Sequence, residues 1–202
     1  NNNIQNWTFT FNDPNISSYP LGTIFSLDWG DGTNPGNSFP AIHNYPPGEF
    51  DLTYTVTFPN GCSEVRNYAV YNGSTPPALT ISGSGLSFCK PNDYEIIISA
   101  PFEPPATTYT IQVNDGSAPI ILEGLASLPY SYFHNFNVNS CGTTTLINSN
   151  PYQDSYSIQV TATNGCNVNG TFAAIGPIQV SESVVANFEL DNQIVCVGQT
   201  VT

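Results

Sequence analysis

The chain has 202 residues, of which 40% are hydrophobic and only 8% charged, and its net charge is −13 because two basic residues oppose fifteen acidic ones. This excess of acid excludes nucleic acid and anionic membrane surfaces as partners, since both require clustered lysine and arginine side chains. No apolar run approaches the roughly 18–20 residues of a membrane-spanning helix, so we expect no membrane insertion.

Alternating side chains predict short β-strands along the whole chain, and no stretch keeps the spacing of an amphipathic helix. The segments WTFTF (7–11) and FSLDW (25–29) place large apolar residues on one face. FDLTYTVTF (50–58) alternates over nine residues and gives the strongest signal, and YTIQV (109–113) and YSIQVTA (156–162) follow. Clusters of Pro, Gly and Asn separate these segments, a pattern that predicts an all-β protein of antiparallel sandwiches.

The segment LDWGDGTNPG (27–36) contains two aspartates, Asp28 and Asp31, and is the first candidate for chemistry. With Trp29 pointing inward from a strand, Asp28 points outward, and Asp31 with Gly32 forms a turn. A catalytic pair would need a supporting acid, arginine or histidine nearby in sequence. A calcium loop at Asp28 and Asp31 is the alternative, but it offers few oxygen ligands. We therefore expect a structural turn, no cofactor and no metal.

Two histidines, His43 and His134, each precede an aromatic residue by two positions. A ring nitrogen bonded to a backbone carbonyl would explain both. A metal site would need several converging ligands, and each half of the chain contains a single histidine.

Repetition divides the chain. TYTVTFPNGC (53–62) matches SIQVTATNGC (157–166), HNY matches HNF, and WGDGT matches VNDGS. FELDNQIVCVGQTVT, near the end, echoes the segment that starts at residue 79. These matches predict one module over 1–75, a second over 76–182 and the start of a third over 183–202, as in a longer repeat protein.

The segments LDWGDGT, HNYPPGEFDLTYTVT and NGC resemble the polycystic-kidney-disease (PKD) domain, an immunoglobulin-like β-sandwich. The first module carries the pattern over residues 24–58, whereas the second has Val113 in place of the tryptophan and Phe136 in place of the tyrosine. The resemblance implies a tandem of PKD-type sandwiches. It implies structural roles for the motif residues, which are Trp29, Asp31, Gly32, His43 and Tyr45 in the first module and Asp115, Gly116 and His134 in the second.

Tyr45, which is followed by Pro-Pro-Gly, resembles the tyrosine corner of such sandwiches, in which the hydroxyl anchors a crossover. Phe136 lacks a hydroxyl. The second module must therefore fix its crossover in another way, and the inserted residues 137–154 are the candidate.

In an immunoglobulin-like sandwich the first strand can pair in parallel with the last. That arrangement would place Cys89 beside Cys166, and we predict a disulfide between them, with Cys141–Cys166 and Cys89–Cys141 as alternatives. Cys62 has no partner in its own module, and Cys196 would pair within the third.

The cysteine-bearing, tandem layout resembles very large surface adhesins that gliding bacteria export through the type IX system. It implies an extracellular, non-enzymatic, adhesive repeat segment whose partners are neighbouring modules, surface polysaccharide or the secretion and motility machinery. The alternative function is a carbohydrate- or protein-binding accessory module of a secreted hydrolase. Exposed aromatics would favour that alternative, and Tyr130, Tyr132 and Phe133 are the candidates, although core packing also explains them.

Overall fold

The computed structural model of the protein describes residues 7–184. Over this range the structure is all-β, with one short 3-10 turn at Ile16–Ser18. The strands are β1 (Trp7–Phe11), β2 (Ile24–Asp28), β3 (Ala41–Tyr45), β4 (Gly48–Thr57), β5 (Ser63–Asn72), β6 (Thr80–Gly83), β7 (Ser87–Cys89), β8 (Asn92–Ser99), β9 (Thr108–Val113), β10 (Ile120–Glu123), β11 (Tyr130–Phe136), β12 (Thr144–Ile147), β13 (Asn150–Gln153), β14 (Tyr156–Asn164) and β15 (Asn167–Ser181).

Residues 7–72, which we call the first β unit, form a two-stranded sheet and a three-stranded sheet, both antiparallel. The strand orders are β1–β3 and β2–β4–β5. Their facing side chains form one apolar cluster, made of Leu27, Trp29, Ala41, Tyr45, Leu52, Tyr54 and Val56.

Residues 79–181, the second β unit, form a larger sandwich-like pair of sheets with strand orders β11–β8–β6 and β10–β9–β14–β15–β7. A separate hairpin, β12–β13, comes from the inserted segment. The second apolar cluster lies between the two larger sheets and includes Tyr94, Ile96, Ile98, Tyr109, Ile111, Phe136, Ile158, Val160 and Ile178.

The last strand of the second unit, β15, pairs in parallel with β7. Ser87–Cys89 pair with Gln179–Ser181 at the end of β15. Two backbone bonds of 2.9 Å flank the pair, from Gln179 to Leu86 and from Lys90 to Ser181. All other strand pairs in the described range are antiparallel.

The predicted strands are confirmed within a few residues. In β4 the buried positions are Leu52, Tyr54 and Val56, as the alternation predicts. Trp7 differs, because it lies at the start of β1 and 64% of it is exposed. The two apolar clusters lie on either side of residue 75, and the module boundaries themselves remain a prediction. The predicted third module, apart from its first two residues, lies outside the described range.

Within residues 7–184, no helix has the length and apolar character that crossing a membrane requires.

Candidate functional site

The stretch that follows β2 is a closed turn. Leu27 and Gly36 exchange two backbone hydrogen bonds of 2.9 and 2.8 Å, which hold its ends together. The exposed carboxylate of Asp28 accepts a bond of 3.0 Å from the backbone N–H of Gly30. Gly30 and Gly32 both have positive φ angles, which glycine adopts without steric cost.

Asp31 connects this turn to β3. One oxygen of its carboxylate accepts bonds from the backbone N–H and the hydroxyl of Thr33, at 3.1 and 2.6 Å. The other oxygen lies 2.7 Å from Nε2 of His43. Only 4% of the Asp31 side chain and 13% of the His43 side chain are exposed, so the pair is almost fully withdrawn from water.

Two aromatic rings enclose His43. The Trp29 ring stacks on the imidazole with a centroid separation of 4.5 Å, and Tyr45 meets it edge-on at 4.6 Å. The hydroxyl of Tyr45 donates a bond of 2.9 Å to the backbone carbonyl of Trp29. The hydroxyl contact expected of Tyr45 is therefore present, and it ties β3 to the residue that follows β2.

The second unit repeats the Asp–His arrangement. Asp115 accepts bonds from the backbone N–H and hydroxyl of Ser117, at 3.0 and 2.6 Å, and its other oxygen lies 2.7 Å from Nε2 of His134. Gly116, between them in the turn, has a φ of 90°. The partner of each histidine is thus a carboxylate, and the prediction of a backbone carbonyl is wrong.

The aromatic surroundings differ in the second unit. Phe136 takes the place of Tyr45 and stacks on Tyr156, with ring centroids 5.6 Å apart. The hydroxyl of Tyr156 donates to the backbone carbonyl of Asn139, at 2.6 Å. The hydroxyl of the next residue, Ser140, accepts a bond of 3.0 Å from the backbone N–H of Val180. The insertion that begins at residue 137 therefore supplies anchoring contacts that Phe136 cannot make.

Both carboxylates are held in the ionised form. Burial alone would raise the pKa of Asp31 and of Asp115. The hydrogen bonds from the following Thr or Ser and from the histidine outweigh it, and the pKa of each lies below the ordinary value of 3.8.

These two aspartates make the folding stability of the chain fall at low pH. Because their pKa is lower in the folded state, their stabilising contribution is complete above pH 3.8 and is lost as the pH falls from 3.8 through the folded value. We expect the urea midpoint to fall steeply below pH 4. A double variant, Asp31→Asn with Asp115→Asn, should be less stable at pH 6 and lose less on acidification. An equally steep acid loss in that variant would contradict the assignment.

The described hydrogen bonds point to a structural use of these pairs. Between residues 7 and 184, no hydroxyl or thiol bonds to either histidine ring, and the hydroxyls of Thr33 and Ser117 donate to the aspartates instead. A nucleophile activated by histidine would need to contact the imidazole.

Three of the four carboxylate oxygens proposed for a calcium alternative already accept hydrogen bonds within the protein. Both oxygens of Asp31 accept bonds within the protein, and Asp28 bonds to the backbone of its own turn. In the described part of the chain, no three His, Cys, Asp or Glu side chains converge as a metal site would require.

The three candidate ligand aromatics do not share a face. On β11, Tyr130 and Tyr132 are half-buried and Phe133 points the other way, with 59% of it exposed. Tyr132 packs against the second apolar cluster. A flat aromatic platform at this strand is therefore not formed by these residues together.

The predicted disulfide between Cys89 and Cys166 is wrong. The strand that ends at Cys89, β7, does pair in parallel with the last strand, β15, although β6 precedes it in the unit. The pairing uses the far end of β15, however, so Cys89 lies opposite Ser181, while Cys166 precedes the 15-residue strand. At about 3.3 Å per residue, and allowing for the two register shifts along β14, the two cysteines are roughly 35–50 Å apart, whereas the Cα atoms of a disulfide are about 6 Å apart.

The two alternative pairings are not formed either, because all four cysteines of the described range are unpaired and exposed. Cys141 follows Ser140, which bonds to Val180, so Cys141 lies at the same end of β15 as Cys89. Cys196 lies outside the described residues.

Several hydrogen bonds between the two units meet at Tyr71, near the end of β5. Its hydroxyl lies 3.0 Å from the backbone carbonyl of Pro105 and accepts a bond of 2.9 Å from the side-chain amide of Asn164. The same amide donates to the carbonyl of Ser74, at 2.8 Å. Burial, with a smaller effect of the negative charge of the nearby Cys166 thiolate, raises the pKa of Tyr71 to about 12, so the hydroxyl stays protonated at neutral pH.

A cleft of about 430 Å³ opens in the first unit between the end of β1 and the edge strand β5. Its lining includes Asp13, Arg66 and several tyrosines. Sequence analysis missed this cleft because its lining residues are far apart in the chain. The available signal was that Arg66 is the chain's single arginine and lies in a strand with no apolar alternation.

No protein family model matches the chain, and no curated protein matches it.

Proposed function

We propose that this chain is a structural, adhesive repeat segment of a large secreted cell-surface protein, built from tandem PKD-type immunoglobulin-like sandwiches. The observation that carries this proposal is the hydrogen-bonded junction around Tyr71. The end of one β unit is bonded directly to a loop and a strand end of the next, at Pro105 and Asn164.

Repetition supports the same proposal. The Asp–His turn recurs with the same bonds in both units, at Asp31 with His43 and at Asp115 with His134. A side-chain pair that fixes the same turn in each unit is what a repeat with a structural role would need. The low content of charged residues, of which only two are basic, suits a surface that does not bind polyanions.

The size of the native polypeptide tests the proposal. Protein isolated from its natural source should be many times heavier than 21.7 kDa under denaturing conditions. A fall in mass on adding reductant would assign exposed cysteines such as Cys62 to links between chains. A polypeptide only modestly larger, with a catalytic domain beside these units, would favour the accessory-module function instead.

The junction should make the two units tumble as one body. A Cβ at Gly165 would lie 2.8 Å from Cβ and Cγ of the Tyr71 side chain, atoms too close to the backbone to swing aside. Gly165→Ala should therefore displace Tyr71 and give the two units separate rotational correlation times in ¹⁵N relaxation, whereas the native chain has one.

The control is Gly61→Ala, in the Asn-Gly-Cys turn of the first unit, where a Cβ would meet nothing within 4 Å and the φ of 86° adds a local cost of about 1 kcal/mol away from the junction. It should leave the common tumbling unchanged. If Gly165→Ala also leaves it unchanged, the contacts of Tyr71 do not couple the units.

A further inference from the structure

The cleft of the first unit occupies a position that is filled in the second unit. The sheet registers align the two: Trp7 pairs with Tyr45 in one, and Asn92 pairs with Phe136 in the other. Counted along the strands from these pairs, Phe11 corresponds to Ile96 and Asp13 to Ile98. The second unit covers this place with β6, in which Ile81 pairs with Ile98.

The same comparison holds across the cleft. In the second unit, Ala173 and Ile175 of β15 pack against the apolar cluster. On β5 of the first unit, alternate residues facing the cleft are Glu64, Arg66 and Tyr68, and all three are exposed. At equivalent positions, β5 of the first unit therefore presents polar and aromatic side chains, whereas β15 of the second unit presents apolar side chains that pack against its core.

The floor of the cleft contains a buried carboxylate. Asp13 is only 7% exposed, and it accepts bonds of 2.8 Å from the hydroxyl of Tyr54 and from the backbone N–H of Asn15. A carboxylate at a position equivalent to a core isoleucine costs desolvation energy unless such bonds compensate it. Tyr19, which also lines the cleft, hydrogen-bonds to this carboxylate as well, so of the roughly four acceptor positions of a carboxylate about one remains free.

The rim combines an ion pair with an aromatic ring. Arg66 bonds to Glu64 at 2.5 Å, and the side chains are 64% and 52% exposed. Tyr68 is 44% exposed, and its ring lies 5.9 Å from that of Phe11. Arginine donates several hydrogen bonds in one plane, and glutamate accepts them, so the rim offers both partners that a hydroxyl group needs.

An added β-strand fits this cleft poorly. In the second unit β8 continues to Ser99 and offers its edge to β6, but in the first unit β1 ends at Phe11. Residue 14 in the turn that follows is proline, which has no N–H to donate. The edge that strand addition requires is therefore missing.

We propose that this cleft binds a neutral oligosaccharide, with the ring of Tyr68 packed against the apolar face of a sugar and its hydroxyls bonded to Arg66, Glu64 and Asp13. A volume of about 430 Å³ is within the range of small-molecule sites. A sugar has alternating apolar and hydroxyl surfaces, which match an aromatic ring beside paired donors and acceptors. This binding would add a ligand to a structural segment and does not rest on the length of the parent protein.

The test is a glycan array of neutral and acidic sugars, followed by NMR titration of the ¹⁵N-labelled chain with the neutral trisaccharides that score best. We expect saturable shifts at residues 11–15 and 64–68. Tyr68→Ala should weaken binding about tenfold, as loss of an aromatic contact typically does. Arg66→Gln, at an exposed position, should weaken it without unfolding the chain.

Phe102→Ala is the matched control, because this aromatic side chain is about as exposed as Tyr68, 41% against 44%, but lies between β8 and β9, outside the cleft. Its affinity should equal that of the native chain. The proposal is overturned if no neutral sugar gives saturable shifts, or if shifts survive in both cleft variants. It is also overturned if a peptide copying Leu79–Gly83 shifts the cleft residues and sugars do not, since the cleft would then accept a strand.

Discussion

Replacement of Gly30 by alanine is expected to destabilise the first β unit more than any other single methyl addition in its turns. A Cβ at this position would lie 2.3 Å from the backbone oxygen of Asp51 and 2.8 Å from its carbonyl carbon. Both are backbone atoms of β4, so relief requires the strand itself to move. The φ of 77° adds strain that only glycine avoids. We expect a loss of about 3 kcal/mol or more in the free energy of unfolding.

Gly32→Ala is the control for this experiment. Gly32 has nearly the same φ, 79°, yet a Cβ there would meet nothing within 4 Å. It should lose only the cost of the left-handed conformation, about 1 kcal/mol. Both tryptophans, Trp7 and Trp29, belong to the first unit, so fluorescence during urea unfolding follows that unit alone. Equal losses in the two variants would show that the contact with β4 is unimportant.

Removal of the Asp31 carboxylate is expected to have the second large effect. Asp31→Ala takes away the acceptor of three hydrogen bonds, two from Thr33 and one from His43, in a place that water hardly reaches. Because bonds to a charged group are worth about 1.5–3 kcal/mol each and are not additive, we expect a loss of about 3 kcal/mol. Tryptophan fluorescence in urea measures this loss as well.

Asp28→Ala provides the comparison within the same turn. Asp28 is exposed and makes one bond, to the backbone of Gly30, so its removal should cost about 0.5–1 kcal/mol. Asp31→Asn should fall between the two, since an amide oxygen can still accept from Thr33. If Asp28→Ala proves as damaging as Asp31→Ala, the bond to His43 is not what stabilises the turn.

The sequence predicts those strands that have one face buried and the other exposed to solvent. β4 and β14 alternate for this reason, and both were expected within a few residues of their observed bounds. β5 was missed because it lies at the edge of its sheet, where seven consecutive residues from Ser63 are exposed and no alternation is imposed. Backbone pairing with its neighbour, β4, defines this edge strand, so its own sequence does not need to alternate between apolar and polar residues.

The candidate sites show the same division between local and distant information. The turn at Asp31 could be predicted, because its bonds to Thr33 lie within three residues. Its bond to His43 could not, since it depends on how β3 approaches the turn. The disulfide prediction was wrong because of the register. β7 pairs with β15 in parallel, as expected, but it pairs with the last residues of β15, whereas Cys166 lies just before the first. The cleft at Asp13 depends on β1 having β3 as its single partner strand within residues 7–184, and no local pattern encodes that.

The parallel pair of β7 and β15 has a mechanical consequence. The second unit is entered near one end of its sheets and left at the other, where Ser181 lies opposite Cys89. Tension applied through the two ends of the unit would slide β7 and β15 along each other. The backbone bonds from Gln179 and Lys90, together with the Lys90–Glu182 ion pair, would then be strained simultaneously. Strands loaded in this direction resist extension far better than a hairpin opened one bond at a time, so the second unit is expected to behave as a stiff link under pulling force.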